Sequence, residues 1–87
     1  MAKEEAAMVM CDLVRTMVLA MVDEPKAVNV SADMRNVERI AITVDVAPGD
    51  VGKVIGKQGR MARAMRTVMG AASIASGIPT SLDIRES

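Results

Sequence analysis

The 87-residue chain contains no histidine, phenylalanine, tryptophan or tyrosine, and one cysteine, Cys11. Each absence removes a class of chemistry. Without histidine the commonest general base and metal ligand are both missing, and one thiol can neither close an internal disulfide nor build a zinc site; no enzymatic activity, metal or cofactor is expected. Without aromatic rings the chain cannot hold nucleic acid by stacking bases on them, so a ligand groove has to be aliphatic. No run approaches the roughly 18 apolar residues of a membrane span. The opening stretch places Glu4 and Glu5 directly after Lys3 and interrupts its apolar residues with Asp12 and Arg15, unlike a secretory leader. A cytosolic location without membrane attachment is therefore expected, where a lone reduced thiol is unremarkable.

What is present describes one small globular domain: 9.2 kDa, 51% hydrophobic and 25% charged. A chain this short buries only about 60% of the surface its unfolded form exposes, so its stability is expected to be modest and helped by self-association or a partner. Net charge is zero, yet its distribution is lopsided. Residues 1–50 carry 5 basic and 9 acidic side chains, whereas residues 51–82 carry 5 basic and none acidic. That block comprises Lys53, Lys57, Arg60, Arg63 and Arg66, and its local field matters more to a docking partner than the overall balance.

Hydrophobic periodicity gives the order of elements. Met10, Leu13, Val14, Met17, Ala20 and Met21 recur at three- and four-residue intervals, predicting a helix over about 4–23 that Pro25 stops. Cys11 lies beside this stripe as a small packed residue. Val28 and Val30 alternate with Asn29 and Ser31 in a short strand, about 27–32; Ile40, Ile42, Val44 and Val46 alternate with Ala41, Thr43 and Asp45 in a clearer one, about 38–46. The short polar connection between them predicts antiparallel pairing. Pro48 and Asp50 suit the first turn of a helix over about 48–55, and a longer helix occupies about 59–75, with Met61, Met65, Val68 and Ala72 as its apolar stripe and Gly77 and Pro79 closing it. Gly70 inside that helix costs about 1 kcal/mol against alanine and has no explanation in the sequence. Leu82 and Ile84 mark a last strand, about 80–85. The order is α-β-β-α-α-β: an α+β sandwich with helices on one face of a three-stranded sheet. The nine methionines read mainly as adaptable core filler.

The chemistry is concentrated in Asp50 to Arg66, DVGKVIGKQGRMARAMR. Gly56 and Gly59 remove the Cβ from both edges of a turn that opens a helix, so the backbone can approach a ligand and the amides of that helix's first turn form an anion site. Lys57 and Gln58 add a charge and a neutral donor at the tip, with Lys53 and Arg60 flanking. Val54 and Ile55 supply an aliphatic floor on which unstacked bases could lie. Phosphate capture beside an apolar floor suits single-stranded nucleic acid better than a duplex, whose bases stay stacked.

Val54-Ile55-Gly56-Lys57-Gln58-Gly59 leading into a helix resembles the VIGxxG signature of the KH domain. With the wider string VGKVIGKQGR, the element order and the size, residues about 12–86 are similar to the small bacterial single-KH RNA-binding family KhpA, of type II topology. The resemblance implies that Lys57 and Gln58 contact the backbone of about four nucleotides, that Val54 and Ile55 contribute to the groove floor, and that the last strand, at Leu82 or its neighbours, forms the opposite wall. Arg60 and Arg63 join the RNA-binding set on charge alone. Met61 and Met65 stand where many KH helices carry isoleucine. The family further implies homodimerisation, pairing with a larger KH-containing RNA-binding protein, and links to RNA regulation and cell-envelope growth.

Two nucleotide-binding motifs are excluded by spacing. Gly52-Lys53-Val54-Ile55-Gly56-Lys57 does not match GxxxxGK[ST], and Gly52, Gly56 and Gly59 do not match GxGxxG. The competing reading is a protein–protein dimerisation or scaffold module in which the glycine loop is only a tight turn between helices.

Overall fold

A computed structural model describes residues 2–87. Helix α1 (Lys3–Leu19) leads through a 3-10 turn (Pro25–Ala27) to strands β1 (Asn29–Asp33) and β2 (Ile40–Val46). A second 3-10 turn (Pro48–Asp50) feeds the short helix α2 (Val51–Ile55), a third (Lys57–Gly59) joins it to helix α3 (Arg60–Ser76), and strand β3 (Thr80–Glu86) ends the fold. The sheet order is β1-β2-β3. β1 pairs antiparallel with β2, Val30 opposite Val44. β3 pairs parallel with β2, Leu82 opposite Ile42, because the chain between them crosses over through α2 and α3 rather than turning back directly.

The predicted α+β order is the one observed, and the two-residue period of β2 sorts its side chains. Ile40, Ile42, Val44 and Val46 are buried against the helices, with Ala41, Thr43 and Asp45 partly exposed on the other face. Met10, Val14 and Val18 of α1, Val54 of α2, Met65 and Met69 of α3 and Leu82 of β3 complete one core. Cys11 packs against its edge, and burial pushes its thiol pKa up, away from reactivity.

Several expected boundaries move. α1 ends at Leu19 instead of continuing to residue 23. The reason lies at Asp50, a residue only 2% exposed. Its carboxylate accepts hydrogen bonds from the backbone N–H groups of Asp23 (3.1 Å) and Glu24 (3.0 Å). These amides therefore turn away from the helix axis, and Pro25 disfavours the helical conformation at Glu24. The Pro25–Ala27 turn likewise delays β1 to Asn29, and β2 begins at Ile40 instead of 38. The first three residues assigned to the helix over 48–55 form a 3-10 turn, leaving five residues for α2.

The apolar stripes also rotate. On α1, Leu13 and Ala20 are exposed, and Ala6, Ala7 and Val18 share the buried face with Met10 and Val14. On α3 the buried set is Ala62, Met65, Met69 and Ala72, with Met61 exposed and Val68 only partly covered. A stripe of chemically similar residues tolerates two helical phases, and contact with α1 and the sheet selects one.

Two predictions follow from this packing. A Cβ on Gly70 would meet nothing within 4 Å, so Gly70→Ala should raise unfolding stability by about 0.5–1 kcal/mol in urea denaturation. Asp50 has its pKa held below the ordinary 3.8, first by the Asp23 amide and then by the Glu24 amide and the Lys53 ammonium. Its contribution is therefore complete above pH 3.8 and lost as pH falls through the lower folded value. Asp50→Asn should lower the midpoint temperature at pH 7 and flatten the acid limb of a stability–pH profile. An acid limb identical to that of the parent would contradict this assignment.

Candidate nucleic-acid interface

The turn between α2 and α3 is built from backbone that ordinary residues avoid. Gly56 has φ +80° and ψ 169°, Gln58 φ +57° and ψ 25°, and Gly59 φ +74° and ψ 15°. At Gly56 the requirement is double: a Cβ there would lie 2.6 Å from Met61 Cγ and 2.9 Å from the Met61 backbone nitrogen. At Gly59 the positive φ is the main demand, since the nearest atom a Cβ would meet is an Arg63 nitrogen 4.0 Å away. Gln58, with no glycine's freedom, carries strain of about 1–2 kcal/mol at the tip.

This geometry changes which donors are available. The amides at the start of α3 were the expected anion site, but the Gly59 N–H donates to the Gly56 carbonyl (3.1 Å) and the Arg60 N–H to the Lys57 carbonyl. Lys57 and Gln58 are the first two residues of the turn, so their amides have no acceptor within it. Both residues are exposed, as is Arg60. The donors thus sit at the tip of the turn.

The five cations separate into two groups. Among the described residues, Lys57, Arg60, Arg63 and Arg66 make no ion pair. Lys53, expected to flank the loop, instead pairs with Asp23 and lies 3.7 Å from Asp50. The Asp23 hydrogen bond is the main cause that raises its ammonium pKa. Lys53 thus braces α2 against the end of α1, and its charge is already compensated.

Beside the turn runs a groove between α3 and β3. One cavity of about 310 Å³ has Ile55 and Gly59 at one end, Ala62, Arg63 and Arg66 along α3, and Asp83 and Ile84 along β3. Ile55 is 37% exposed and joins its apolar lining, whereas Val54 is fully buried and supports the groove from beneath, contrary to its expected place on the floor. The seam continues into a second cavity of about 290 Å³ lined by Arg66, Met69, Thr80, Ser81 and Leu82. Leu82, the residue first implicated in the far wall, buries its side chain in the core; Asp83 and Ile84 line the first cavity, Ile84 sharing the side-chain face of Leu82 and Asp83 belonging to the other face of the sheet.

The backbone of β3 matters as much as its side chains. The Ile40 N–H donates to the Pro79 carbonyl (3.0 Å) and the Ser87 N–H to the Val46 carbonyl (2.8 Å). With the parallel register between them, Ser81, Asp83 and Arg85 pair with β2, and the intervening Leu82 and Ile84 turn their N–H and C=O groups to the free edge. Arg66 confirms this phase by donating to the Leu82 carbonyl at 3.3 Å. The last strand was expected as the opposite wall and Arg66 as part of the cationic block, but neither the backbone groups of the β3 edge nor Arg66 was assigned a ligand contact, although the spacing of Arg60, Arg63 and Arg66 at successive three-residue steps places all three near one side of α3.

A parallel β2–β3 crossover through two helices joined by a GxxG turn defines a type II KH domain. The family model described as KhpA/KhpB, KH domain, matches residues 11–84, and the chain belongs to that family. It is similar to RNA-binding protein KhpA of Caldanaerobacter subterraneus subsp. tengcongensis, at 49% identity over 65 residues, covering 75% of this chain and 85% of that protein. RNA-binding protein KhpA of Bacillus subtilis is 38% identical over 73 residues, 84% and 89% of the two chains. A crystal structure of Era in complex with MgGDPNP and a segment of 16S ribosomal RNA superposes with a TM-score of 0.58 at 16% identity, over 92% of this chain and 30% of that one. This last likeness is one of fold alone, and the chain spans less than a third of Era.

The two glycines should respond differently to substitution. Gly59→Ala carries mainly the backbone penalty, about 1–2 kcal/mol, while Gly56→Ala adds overpacking against Met61 and should cost about 2–4 kcal/mol. Introducing Met61→Ala should not fully rescue Gly56→Ala, because the Met61 Cβ and backbone nitrogen remain 2.9 Å away. Urea denaturation of the single and double variants checks the order.

Proposed function

We propose that the chain binds single-stranded RNA, with the Lys57–Gln58 tip on the ribose-phosphate backbone and the α3/β3 groove holding splayed bases. The observation that carries this reading is the exposed cationic turn opening directly onto a groove whose far wall is a free strand edge. Phosphates meet amides and uncompensated cations at one end; bases meet Ile55, Ala62 and Ile84 and the donor and acceptor groups of Leu82 and Ile84 along the seam. Arg60 and Arg63 extend the positive surface. Stacked bases of a duplex could not reach that edge, whereas a single strand presents them. The name RNA-binding protein KhpA borne by the relatives supports the same reading.

The biological setting we propose is cytosolic and non-enzymatic: an RNA chaperone or post-transcriptional regulator acting as a homodimer or beside a larger KH-containing protein. Among the described residues no helix is long and apolar enough to cross a membrane. Met8, Val9, Leu13 and Leu19 are exposed on α1, which contributes no residue to the groove and so leaves its outer surface available to a protein partner.

The test is a double substitution, Lys57→Asp with Gln58→Asp, read by salt-dependent binding of labelled single-stranded RNA. Aspartate tolerates the left-handed backbone at position 58 better than most residues, so folding should persist by circular dichroism while affinity is lost to like-charge repulsion. The unsubstituted protein should lose affinity with salt at a log–log slope of about −2, as expected for roughly three phosphate contacts. Undiminished binding by the folded variant, or a salt-independent interaction, would favour the scaffold reading instead.

A further inference from the structure

We propose that Arg66 is a specificity-determining residue that selects, for the base lying across it, one with two adjacent hydrogen-bond acceptors: cytosine or guanine. This rests on the single-stranded RNA reading above and concerns which base the same groove accepts.

Arg66 is the one residue that lines both cavities of the α3/β3 seam, so it stands at the junction where one base pocket passes into the next. Its guanidinium has no carboxylate partner among the described residues. It is nevertheless oriented, because Nη2 donates to the Leu82 carbonyl at 3.3 Å. A guanidinium has five N–H donors and no acceptor. With one donor engaged by the strand edge, the fork is held beside the groove with its remaining donors free for a ligand.

An oriented pair of donors calls for an adjacent pair of acceptors. Guanine offers O6 and N7, and cytosine offers O2 and N3. Adenine places its N6 amino donor beside each neighbouring ring acceptor, and uracil interposes the N3–H donor between O2 and O4. Both would leave one arm of the fork facing a donor. Arg60 and Arg63 differ in this respect: neither donates to the β3 backbone, so they supply positive charge without a fixed fork. Lysine at position 66 would preserve the charge but lose the planar pair of donors.

The proposal is tested by fluorescence anisotropy with four labelled eight-nucleotide RNAs, all-C, alternating U/G, all-U and all-A, against the parent protein and Arg66→Lys. The parent should bind the first two about tenfold more tightly than the last two, in line with one bidentate contact; which of the first two is tighter identifies the preferred base. Arg66→Lys should lose the preference while keeping its affinity for all-U within about twofold and its salt slope unchanged. Equal affinity of the parent for all four, or a preference that survives in folded Arg66→Lys, overturns the assignment and leaves Arg66 as a phosphate contact. Failure of the parent to bind any of the four overturns the RNA-binding reading, and this assignment with it.

Discussion

The approach of Met61 to the backbone of Gly56 is the contact on which the geometry of the site depends. Because no Cβ can occupy that space, the chain leaving α2 turns sharply enough that only four residues separate the end of α2 from the start of α3. Two consequences come from this one closure. Ile55 and Gly59 are brought to the same end of the groove, so the apolar lining starts where the positively charged turn stops. The tight turn also satisfies the amides of Gly59 and Arg60 internally, which moves the available donors outward to Lys57 and Gln58. Met61, half covering the loop that it shapes, is thus a structural member of the site rather than a core residue displaced to the surface.

Much of this was legible in the amino-acid order, and the residues that were not share a physical reason. β2 was readable because strict alternation from Ile40 to Val46 has only one interpretation at a period of two. The GxxG turn was readable because two glycines at that spacing, after Val54-Ile55 and before a basic helix, combine backbone freedom with charge. The phases of α1 and α3 were less so: methionine, valine and alanine lie on several sides of each helix, and tertiary contact decides which set is buried. Val54 and Ile55 look equivalent in sequence, yet their sides of a five-residue helix differ, one facing the core and the other the groove. The role of Lys53 depended on residues 30 and 3 positions away, Asp23 and Asp50, whose convergence is a property of the fold.

The distribution of charge gains meaning from that convergence. In a linear count Lys53 belongs with the four cations that follow it. In space it belongs to an anionic junction where the buried carboxylate of Asp50 holds the Asp23 and Glu24 amides and Lys53 offsets the two aspartates. That junction ties the end of α1 to the base of α2, so the element bearing the glycine turn is fixed at its root while its tip stays exposed. The opposite face of the sheet carries Asp45, paired with Arg85 at 3.3 Å, together with Asp83 and Asp33. Asp33 is itself held at a pKa of about 2 by its hydrogen bonds to Arg35. The helical side therefore carries uncompensated positive charge and the surface behind it is largely compensated or negative, an asymmetry that suffices to orient an anionic partner without any excess of net charge.

The parity of β3 joins the core to the ligand surface. In a parallel ladder alternate residues direct their backbone groups to the neighbouring strand, and the same two-residue period directs their side chains to one face. Leu82 therefore does two things at once: its side chain packs with Ile42 in the core, and its N–H and C=O face the groove. A slip of one residue would exchange both sets, pressing Asp83 into an apolar interior and turning the backbone of Ser81 and Asp83 to the free edge. The cost of burying that carboxylate is what holds the register. The pattern of donors and acceptors along that edge is consequently enforced by hydrophobic burial on the other side of the strand, which explains how a groove without a single aromatic ring can still present a defined edge.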